Sequence, residues 1–451
     1  MAREPFSPSV FASTGLQAPG DRHRVVIVGG GAGGLELAAK LGEAWRRRGE
    51  AEVLLVDGAL THVWKPLLHE LAAGTLRHRE TVVDFLQQAR RHGFRFHLGA
   101  LQGLDRAAQQ VWLAPLVDED GRAIAPARPI HYDTLVLAVG SVVNDFGTPG
   151  VREHATALNG ADDAQRFHRR LLAECARAEL HGDGPVQVVI VGGGATGVEL
   201  AAELVESVGE IAGYGETLQR LQQPVQVRIV EGGPRLLGAL PEDVSARVDD
   251  DMRRLGIDVL LGQRVVAVGD GFVRLGDGRQ LPSTLTVWAA GIQGAPVLRG
   301  LDGLALNKLG QVLVHPTLQT TVDERVFALG DCAACVPVEG VDTVPPKAQA
   351  AQQQARFLAD ALRRRLAGQS LPAFRYHDKG SLVSLGHRNA VGSIAAGLKR
   401  SFTLEGLLAR WSYWAVQRQH MAALHGVART VFTTLTEWLG GRSQPRVKLH
   451  L

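Results

Sequence analysis

Cysteine is scarce in this sequence, and long apolar runs and excess charge are missing. Three cysteines among 451 residues cannot build a disulfide framework, which indicates a reducing compartment. No stretch of about 18 apolar residues runs without a charge, so we expect no membrane-spanning helix. The net charge of +3 is too small to favour nucleic acid as a partner. Residues 1–22 lack the apolar core of a signal peptide and predict a flexible lead-in.

Glycine is abundant, with 53 residues, and part of it falls into two copies of one pattern. Each copy has a short strand rich in β-branched residues, a G-x-G-x-x-G turn and an apolar helix. The patterned glycines are Gly29, Gly31 and Gly34, and again Gly192, Gly194 and Gly197. A second strand follows each helix and ends at an acid, Asp57 or Glu231. This duplication predicts two Rossmann-like units.

Each part of the pattern has a role in binding a dinucleotide. The first glycine allows the tight turn, the second lets the backbone approach a pyrophosphate, and the third lets the helix pack closely on the strand. The phosphates then lie at the positive end of the helix. The acid accepts hydrogen bonds from the adenosine ribose. The charge of Glu231 also disfavours the 2′-phosphate of NADPH, so NADH is expected, although Arg228 and Arg235 lie nearby in sequence.

Two dinucleotide sites in one chain predict that one holds a flavin and the other holds its reductant. Hydride transfer between them needs no metal, and we expect no metal site. Glu199 follows the last glycine of the second pattern, close to where a nicotinamide would lie. A plain position on the helix surface is the alternative for Glu199. Apolar strands that close on glycine, Thr134–Gly140 and Leu285–Gly291, indicate that the second unit is inserted into the first.

Several stretches resemble bacterial type II NADH:quinone oxidoreductases, which do not pump protons. They are His62–Glu70, Gly192–Leu204, Trp288–Ile292, Gly330–Ala333 and Pro345–Ala351, and the resemblance covers nearly the whole chain. It implies an α/β fold with two Rossmann-like dinucleotide-binding domains, in which an FAD domain contains an inserted NADH domain. A C-terminal amphipathic helical region for membrane anchoring follows. It also implies non-covalent FAD, NADH as substrate and a membrane quinone as the electron acceptor.

The resemblance gives each segment a domain. The expected division, in numbers, is 1–22 for the lead-in, 23–150 and 293–375 for the two parts of the FAD domain, 151–292 for the NADH domain and 376–451 for the membrane-associated region. The expected cofactor-binding residues are Gly29, Gly30, Gly31, Ala32, Gly33, Gly34, Asp57, Lys65, Pro66, Ala138, Gly140, Gly192, Gly194, Thr196, Gly197, Glu199, Glu231, Ala290, Gly291, Gly330, Asp331 and Gln349.

The same resemblance implies individual roles around the flavin. Lys65 and Pro66 are expected beside the isoalloxazine ring, although a solvated surface lysine is the alternative for Lys65. Asp331 is expected to bind the ribityl and phosphate region. Cys332 and Ala333 are expected to open a helix that faces the phosphates.

The quinone signature A-Q-x-A-x-Q-Q matches Ala348–Gln354. Gln349 and Gln353 are four residues apart, hence on one helical face, and are expected to line a channel to the flavin. Without the resemblance, this stretch is simply a well-propagating helix rich in Ala and Gln. Lys379 is a weaker candidate for supplying protons to the reduced quinone. The expected catalytic residues are therefore Glu199, Gln349, Gln353 and Lys379.

Cys332 and Cys335 form a C-x-x-C pair that we interpret as structural. A zinc site would need two more ligands, and the sequence has no second C-x-x-C. A disulfide reductase would carry C-x-x-x-x-C near its first helix, and that motif is missing too. Both alternatives are therefore disfavoured.

The C-terminal tail combines apolar residues at helical spacing with basic flanks and aromatic residues. From Lys399 to Leu451 there are eight Lys or Arg residues and two acids, a local charge of +6, together with Trp411, Trp414 and Trp438. These features favour two helices from Leu404 onward that lie on an anionic bilayer. We therefore expect a peripheral enzyme on the cytoplasmic side of the inner membrane. Packing of these helices on the enzyme's own core or in a homodimer interface is the alternative.

Three other functions stay open from the sequence. A sulfide:quinone oxidoreductase would need two redox cysteines flanking the flavin, and the adjacent Cys332 and Cys335 fit that poorly. A ferredoxin reductase would need a basic docking face and no apolar tail. A non-catalytic nucleotide sensor would bind both dinucleotides without turnover.

Overall fold

The computed structural model describes residues 22–46, 49–76, 82–182, 184–212, 220, 224–335, 344–386, 390–395 and 401–405, with a few single positions beyond. Within these ranges the strands are β1 His23–Val28, β2 Ala51–Asp57, β3 Thr61–Val63, β4 Val82–Asp84, β5 Arg95–Leu98, β6 Leu101–Asp105, β7 Gln110–Leu113, β8 Leu116–Val117, β9 Ala123–Ala125, β10 Arg128–His131, β11 Thr134–Leu137, β12 Ser141–Val143, β13 Ala155–Ala157, β14 Val186–Val191, β15 Val225–Val230, β16 Asp258–Leu260, β17 Val265–Gly269, β18 Phe272–Leu275, β19 Gln280–Pro282, β20 Leu285–Trp288, β21 Ile292–Gly294, β22 Val312–Val314, β23 Val326–Ala328, β24 Ala333–Cys335, β25 Ser381–Ser384, β26 Ala390–Ala395 and β27 Ser401–Glu405.

The helices differ widely in length. They are α1 Ala32–Arg46, α2 Leu68–Ala73, α3 Phe85–His92, α4 Val151–His154, α5 Ala161–His181, α6 Ala195–Ala212, α7 Glu242–Arg254 and α8 Ala348–Leu366. Short 3₁₀ turns cover Lys65–Leu67, Pro296–Gly300 and Gly330–Cys332. Within the described part of the chain, no helix has both the length and the apolar character needed to cross a membrane.

The described residues group into two compact units. The first contains the residues up to Trp64, Val82–Val142 and Ile292–His377. Its centre is a five-stranded parallel sheet in the order β23-β11-β1-β2-β5. The run Val25–Val28 of β1 is fully buried, as expected for a strand covered on both faces of a parallel sheet. A three-stranded antiparallel sheet, β10-β7-β6, belongs to the same unit.

The second unit repeats this design. It contains the segment from Lys65, Val143–Gly291 and the described residues from Asp378 onward. Its five-stranded parallel sheet has the order β13-β20-β14-β15-β16, so that β14, β15 and β20 correspond to β1, β2 and β11. Two antiparallel sheets, β17-β18-β19 and β25-β26-β27, belong to this unit. The prediction of two Rossmann-like α/β units is confirmed.

The two compact units alternate along the sequence. The second unit includes the chain from Val143, a few residues before Gly150, and the first unit resumes at Ile292. The segment from Lys65, expected in the first domain, belongs to the second unit because α2 packs on α5 and α6. These contacts bring a short stretch from early in the chain to the helix that carries Glu199.

Candidate functional site

The first glycine turn has the geometry that binding of a dinucleotide requires. Gly29 has a φ of +107°, and a Cβ there would overlap the carbonyl of Ala138 at the end of β11. A Cβ on Gly34 would overlap the carbonyl oxygen of Gly29, so the third glycine allows the close approach of α1 to β1. A Cβ on Gly31 would meet no atom within 4 Å. The turn therefore presents open space above Gly31 at the N-terminus of α1, where a pyrophosphate fits.

Two aspartates flank this turn. Asp57 Oδ2 accepts a hydrogen bond of 2.6 Å from the Gly30 N–H, and its Oδ1 accepts one of 2.8 Å from the Ala59 N–H. Asp331 Oδ2 accepts a hydrogen bond of 2.9 Å from Ser141 Oγ. The Asp57 carboxylate is therefore fixed against the glycine turn by backbone donors.

The second glycine turn reproduces the first. Gly192 has a φ of +113°, and a Cβ on Gly197 would overlap the Gly192 carbonyl oxygen. A Cβ on Gly194, as on Gly31, would meet no atom within 4 Å. Glu231 corresponds to Asp57: it accepts hydrogen bonds of 2.5 Å from the Gly193 N–H and 2.6 Å from the Gly233 N–H. The two units thus offer equivalent cradles.

The two arginines near Glu231 in sequence have other partners. Arg228 Nε lies 2.6 Å from Asp258 Oδ2 in an ion pair. Arg235 donates to the carbonyl oxygens of Leu240 at 2.7 Å and Gly238 at 2.9 Å. The charge of Glu231 is therefore not neutralised by the contacts that these two arginines make.

Three glutamate side chains lie together where α2 meets α6 in the second unit, and two of them, Glu199 and Glu203, are buried. We call Glu70, Glu199 and Glu203 the carboxylate cluster. Glu199 Oε1 accepts a hydrogen bond of 3.1 Å from the Ser384 N–H, and its Oε2 lies 3.5 Å from His69 Nδ1. Glu203 Oε1 accepts one of 2.5 Å from Thr75 Oγ1. Three segments that are distant in sequence therefore meet around Glu199.

Burial shifts the proton affinities of this cluster. It raises the pKa of Glu199 to about 8, and Glu70 and Glu203 add repulsion in the same direction. The pKa of Glu70 also rises to about 8, through burial and the charge of Glu203. Burial lowers the pKa of His69 to about 4, although a hydrogen bond to the Pro66 carbonyl opposes this. Glu70 and Glu199 therefore hold protons near neutral pH, and the His69 imidazole does not.

Helix α8 carries the glutamines of the signature. Gln349 and Gln353 are half-buried. The Gln353 Nε2 donates to the His377 carbonyl oxygen at 2.8 Å, and its Oε1 accepts from the His377 N–H at 3.1 Å. The adjacent Gln354 is buried, and its Oε1 accepts a hydrogen bond of 2.7 Å from the Gly330 N–H. Helix α8 thus fixes both the turn before Asp331 and the chain at His377.

All three cysteines are free thiols. Cys332 is buried, and its Sγ donates to the carbonyl oxygen of Leu329 at 3.2 Å. Burial raises the pKa of both Cys332 and Cys335 to about 11. These thiols are protonated at neutral pH and are therefore poor nucleophiles, as expected for structural residues.

Comparisons with known proteins place the chain in a family. Residues 23–355 match the model of the pyridine nucleotide-disulphide oxidoreductases. The type II NADH:quinone oxidoreductase of Haemophilus influenzae is 39% identical over 94% of this chain and 99% of its own length. The chain belongs to the type II NADH:quinone oxidoreductases. The enzyme of this name from Staphylococcus aureus is 29% identical over 85% of this chain and 93% of its own length.

Solved structures show how widely the fold of this NADH:quinone oxidoreductase family is shared. The structure described as NDH2 from Plasmodium falciparum in complex with NADH has a TM-score of 0.79 at 18% identity and covers 95% of this chain and all of its own. The sulfide:quinone oxidoreductase from Aquifex aeolicus has a TM-score of 0.70 at 19% identity, with 94% and 96% covered. At these identities the likeness concerns the fold alone.

Two expectations about local structure within this family member are wrong. Ala333 does not open a helix: Gly330–Cys332 is a 3₁₀ turn, and Ala333–Cys335 is a strand that pairs in parallel with Val312–Val314. Leu404 does not begin a helix either, because Ser401–Glu405 is a strand paired with Ala390–Ala395. Most of the predicted tail, including Trp411, Trp414 and Trp438, lies outside the described residues. Among its few described positions, Ala415 and Arg418 have helical backbone.

The structure adds residues that the sequence reasoning missed. Gln354 and Ser141 hold the Gly330–Asp331 turn, and His69, Glu70 and Glu203 surround Glu199. Gln354 is the last residue of the signature, so its role could have been predicted from the sequence. The neighbours of Glu199 could not, because they depend on the packing of α2. Lys65 and Lys379 are exposed, and Pro66 lies on the turn that leads into α2.

Proposed function

We propose that this chain is a peripheral membrane enzyme that passes electrons from NADH through non-covalently bound FAD to a quinone, without pumping protons. The observation that carries the proposal is the 39% identity to the Haemophilus influenzae enzyme over nearly the full length of both chains. Both glycine turns keep the geometry that a dinucleotide needs, which supports two nucleotides in one chain.

FAD fits the first unit. Gly31 leaves space for the pyrophosphate, Asp57 is placed to bind the adenosine ribose, and Ser141 orients the Asp331 carboxylate for the flavin end. Ala138 and Gly140, at the end of β11, belong to the same rim of the sheet, because Gly29 packs against Ala138. FAD held by these residues would supply the two-electron chemistry that links NADH to the quinone.

NADH fits the second unit. Gly194 offers the open approach at the N-terminus of α6, beside Thr196, and Glu231 is placed for the ribose hydroxyls. A 2′-phosphate would meet the Glu231 carboxylate, and the neighbouring Arg228 and Arg235 are occupied by other partners. NADH is therefore favoured over NADPH.

The chain's own contribution at the reacting centre is to position groups and to hold protons. His69 bonds to the carbonyl of Pro66 and so braces the turn that presents Lys65. Glu199, with its pKa raised to about 8, holds a proton at neutral pH and can release it in that range. A buried carboxyl with this proton affinity suits proton exchange at a redox site better than a surface carboxylate does.

On the quinone side, Gln349 and Gln353 of α8 and the exposed Lys379 are the candidates. The half-buried Gln349 lies near the start of α8. Gln353 fixes the backbone of His377, two residues before Lys379. In this arrangement Gln349 lines the approach of the quinone, Gln353 orients the chain that carries the lysine, and Lys379 supplies protons.

The tail supplies the attachment to the cytoplasmic face of the inner membrane. Its local charge of +6 and its three tryptophans, Trp411, Trp414 and Trp438, favour an anionic bilayer surface. Attachment there would bring the enzyme to its lipid-soluble substrate. A homodimer that buries the same apolar residues is the competing arrangement.

An anaerobic titration of the holoenzyme tests the redox proposal. NADH is added first and a short-chain quinone second, while the absorbance of the oxidised flavin is recorded. We expect one equivalent of NADH to bleach the flavin and one equivalent of quinone to restore it. Flavin that stays oxidised after NADH addition would contradict the hydride half of the proposal.

The same experiment separates the other functions. Bleaching by sulfide but not by NADH indicates a sulfide:quinone oxidoreductase, and re-oxidation by ferredoxin but not by quinone indicates a ferredoxin reductase. A single reduction without steady-state turnover indicates a nucleotide sensor. Changing Cys332 and Cys335 to Ser leaves NADH oxidation intact on our proposal, because neither thiol takes part.

A further inference from the structure

Phe146 is apolar and exposed and has a positive φ, a combination that is unusual for a bulky residue. Its φ is +50°, in the left-handed region that bulky residues avoid, and 64% of its surface is exposed. Four other non-glycine residues of the described chain have positive φ: Gln109, Leu237, Asp302 and Leu318. Leu237 and Leu318 are buried, so core packing offsets their strain, and Gln109 and Asp302 are polar. Phe146 is thus the exposed apolar member of the set, and such outliers cluster at ligand sites.

The loop around Phe146 is fixed by hydrogen bonds. Asn144 Oδ1 accepts from the Phe146 N–H at 2.9 Å, and Asp145 Oδ1 accepts from the Gly147 N–H at 2.9 Å. The other oxygen of Asp145 pairs with Arg152 Nε at 2.7 Å. These hydrogen bonds, which we call the Phe146 frame, therefore hold the loop that exposes the ring to solvent.

This frame joins the end of β20. The Trp288 indole N–H donates to the Asn144 carbonyl at 2.8 Å, and the Asn144 N–H donates to the Gly291 carbonyl at 3.3 Å. The Phe146 ring covers Gly291: a Cβ there would lie 2.6 Å from the ring atom Cζ. Gly192, the first glycine of the second turn, packs in turn against the backbone of Ala289 and Ala290. A continuous series of contacts thus leads from the glycine turn to Phe146.

The direction of that series identifies the part of the dinucleotide involved. Strand β15, with Glu231 at its end, lies on one side of β14, and β20 lies on the other. Glu231 is placed for the adenosine ribose and the turn after β14 for the pyrophosphate, so the remaining half of the molecule extends over the end of β20. That half is the nicotinamide riboside.

We propose that Phe146 forms the wall of the second dinucleotide site against which the nicotinamide half of NADH packs. The inference rests on the proposed binding of NADH to this unit. A planar aromatic ring offers the nicotinamide ring apolar contact and offset stacking, and its rigid frame limits the entropy lost on binding. The backbone strain at Phe146 is consistent with a position retained for its ligand, since glycine would relieve it.

The test measures binding to the oxidised holoenzyme by isothermal titration calorimetry, with two ligands. NAD⁺ contains both halves, whereas ADP-ribose contains the adenosine and pyrophosphate but lacks nicotinamide. We expect Phe146→Gly to weaken NAD⁺ binding about tenfold, as loss of an aromatic contact does, and to leave ADP-ribose binding unchanged. Phe146→Tyr should bind NAD⁺ like the parent. Thermal unfolding, recorded in parallel, should show no loss of stability in Phe146→Gly.

Gln109→Gly is the matched control, because it relieves a similar φ of +52° in the first unit. It should leave the affinity for both ligands unchanged. Equal weakening of NAD⁺ and ADP-ribose in Phe146→Gly, or no weakening of either, would overturn the inference. If the parent protein binds neither ligand, the proposed function itself fails, and that outcome is distinct from a failure of Phe146.

Discussion

At the scale of single residues, the duplicated pattern places the same acid in two environments. Glu36 and Glu199 each lie two residues after the last glycine of their turns. Glu36 is buried and paired with Arg356 Nε at 2.5 Å, on helix α8 of the same unit. Among the described residues Glu199 pairs with the His69 imidazole and not with an arginine or lysine, and its pKa is raised. The same position of the pattern therefore carries an arginine-paired carboxyl group in the first unit and a proton-holding carboxyl group in the second.

The raised pKa values predict how stability depends on pH. An unfolded glutamate ionises near pH 4.5, whereas Glu199 and Glu70 keep their protons in the folded state to about pH 8. The folded state binds more protons over this window, so stability falls as pH rises from about 4.5 to about 8. We expect Glu199→Gln to reduce that slope, measured as the unfolding temperature at several pH values. Glu242→Gln, an exposed control, should follow the parent, and a Glu199→Gln curve parallel to the parent's would contradict the shift.

Loss of the Glu36 partner should be costly in the first unit. Arg356→Met leaves the Glu36 carboxylate buried and unpaired, with Oε2 already lacking a described hydrogen-bond partner. We expect a loss of about 2 kcal/mol, reduced from the fully buried value because Arg356 is partly exposed. Urea unfolding measures it. Arg363→Met, which breaks an exposed pair with Asp360, should cost almost nothing, and equal losses in the two variants would argue against a special role for Glu36.

At the scale of helices and strands, the sequence identified elements whose signal is local. Glycine turns, buried β-branched strands and the helix at Ala348–Leu366 were recognisable from pattern alone. The strand Ala333–Cys335 was not, because its stabilising partner Val312–Val314 lies far back in the chain and A-A-C has little intrinsic preference. Ser401–Glu405 did carry a signal: its polar and apolar residues alternate with period two, which is typical of a strand.

The close packing of α1 on β1 predicts different effects of alanine at Gly34, which should reduce stability, and at Gly31, which should reduce FAD binding. Gly34→Ala forces a Cβ into the Gly29 carbonyl, so the helix must move and the apoprotein should lose stability. Gly31→Ala meets no atom and should fold normally, yet its methyl group occupies the space proposed for the FAD pyrophosphate. Thermal unfolding of the apoprotein and the FAD retained after gel filtration separate the two effects. A stable Gly31→Ala variant that keeps its FAD would contradict the proposed site.

At the scale of the whole molecule, the two-unit architecture followed from the duplication, but the surroundings of Glu199 did not. They are assembled from Glu70 on α2, Glu203 on α6 and the Ser384 backbone on β25. No local periodicity connects these segments, because the contacts depend on the packing of α2 with the second unit. The two glycine turns were therefore predictable from the sequence, whereas the carboxylate cluster was not.

The proposed attachment to the membrane can be tested by shortening the chain. A variant that ends at Glu405 keeps strand β27 and lacks the basic, tryptophan-containing tail. We expect it to lose co-sedimentation with anionic vesicles, because apolar and electrostatic attraction are removed together. The full chain on uncharged vesicles, and on anionic vesicles at high salt, provides the control for charge. A truncated form that still co-sediments would mean that another part of the chain binds the bilayer.

The insertion of one sheet within the sequence of another has a consequence for how the chain folds. All five strands of the second sheet come from the continuous stretch Ala155–Trp288, whereas the pairing of β11 with β23 joins segments on either side of it. Closing a longer loop costs more entropy, and pairings distant in sequence form slowly. During synthesis, the sheet of the second unit can therefore be complete before β23, which completes the sheet of the first unit, has left the ribosome. The sheet of the unit proposed to bind NADH would then form first. The sheet of the unit proposed to bind FAD would be completed only after the rest of the chain is made.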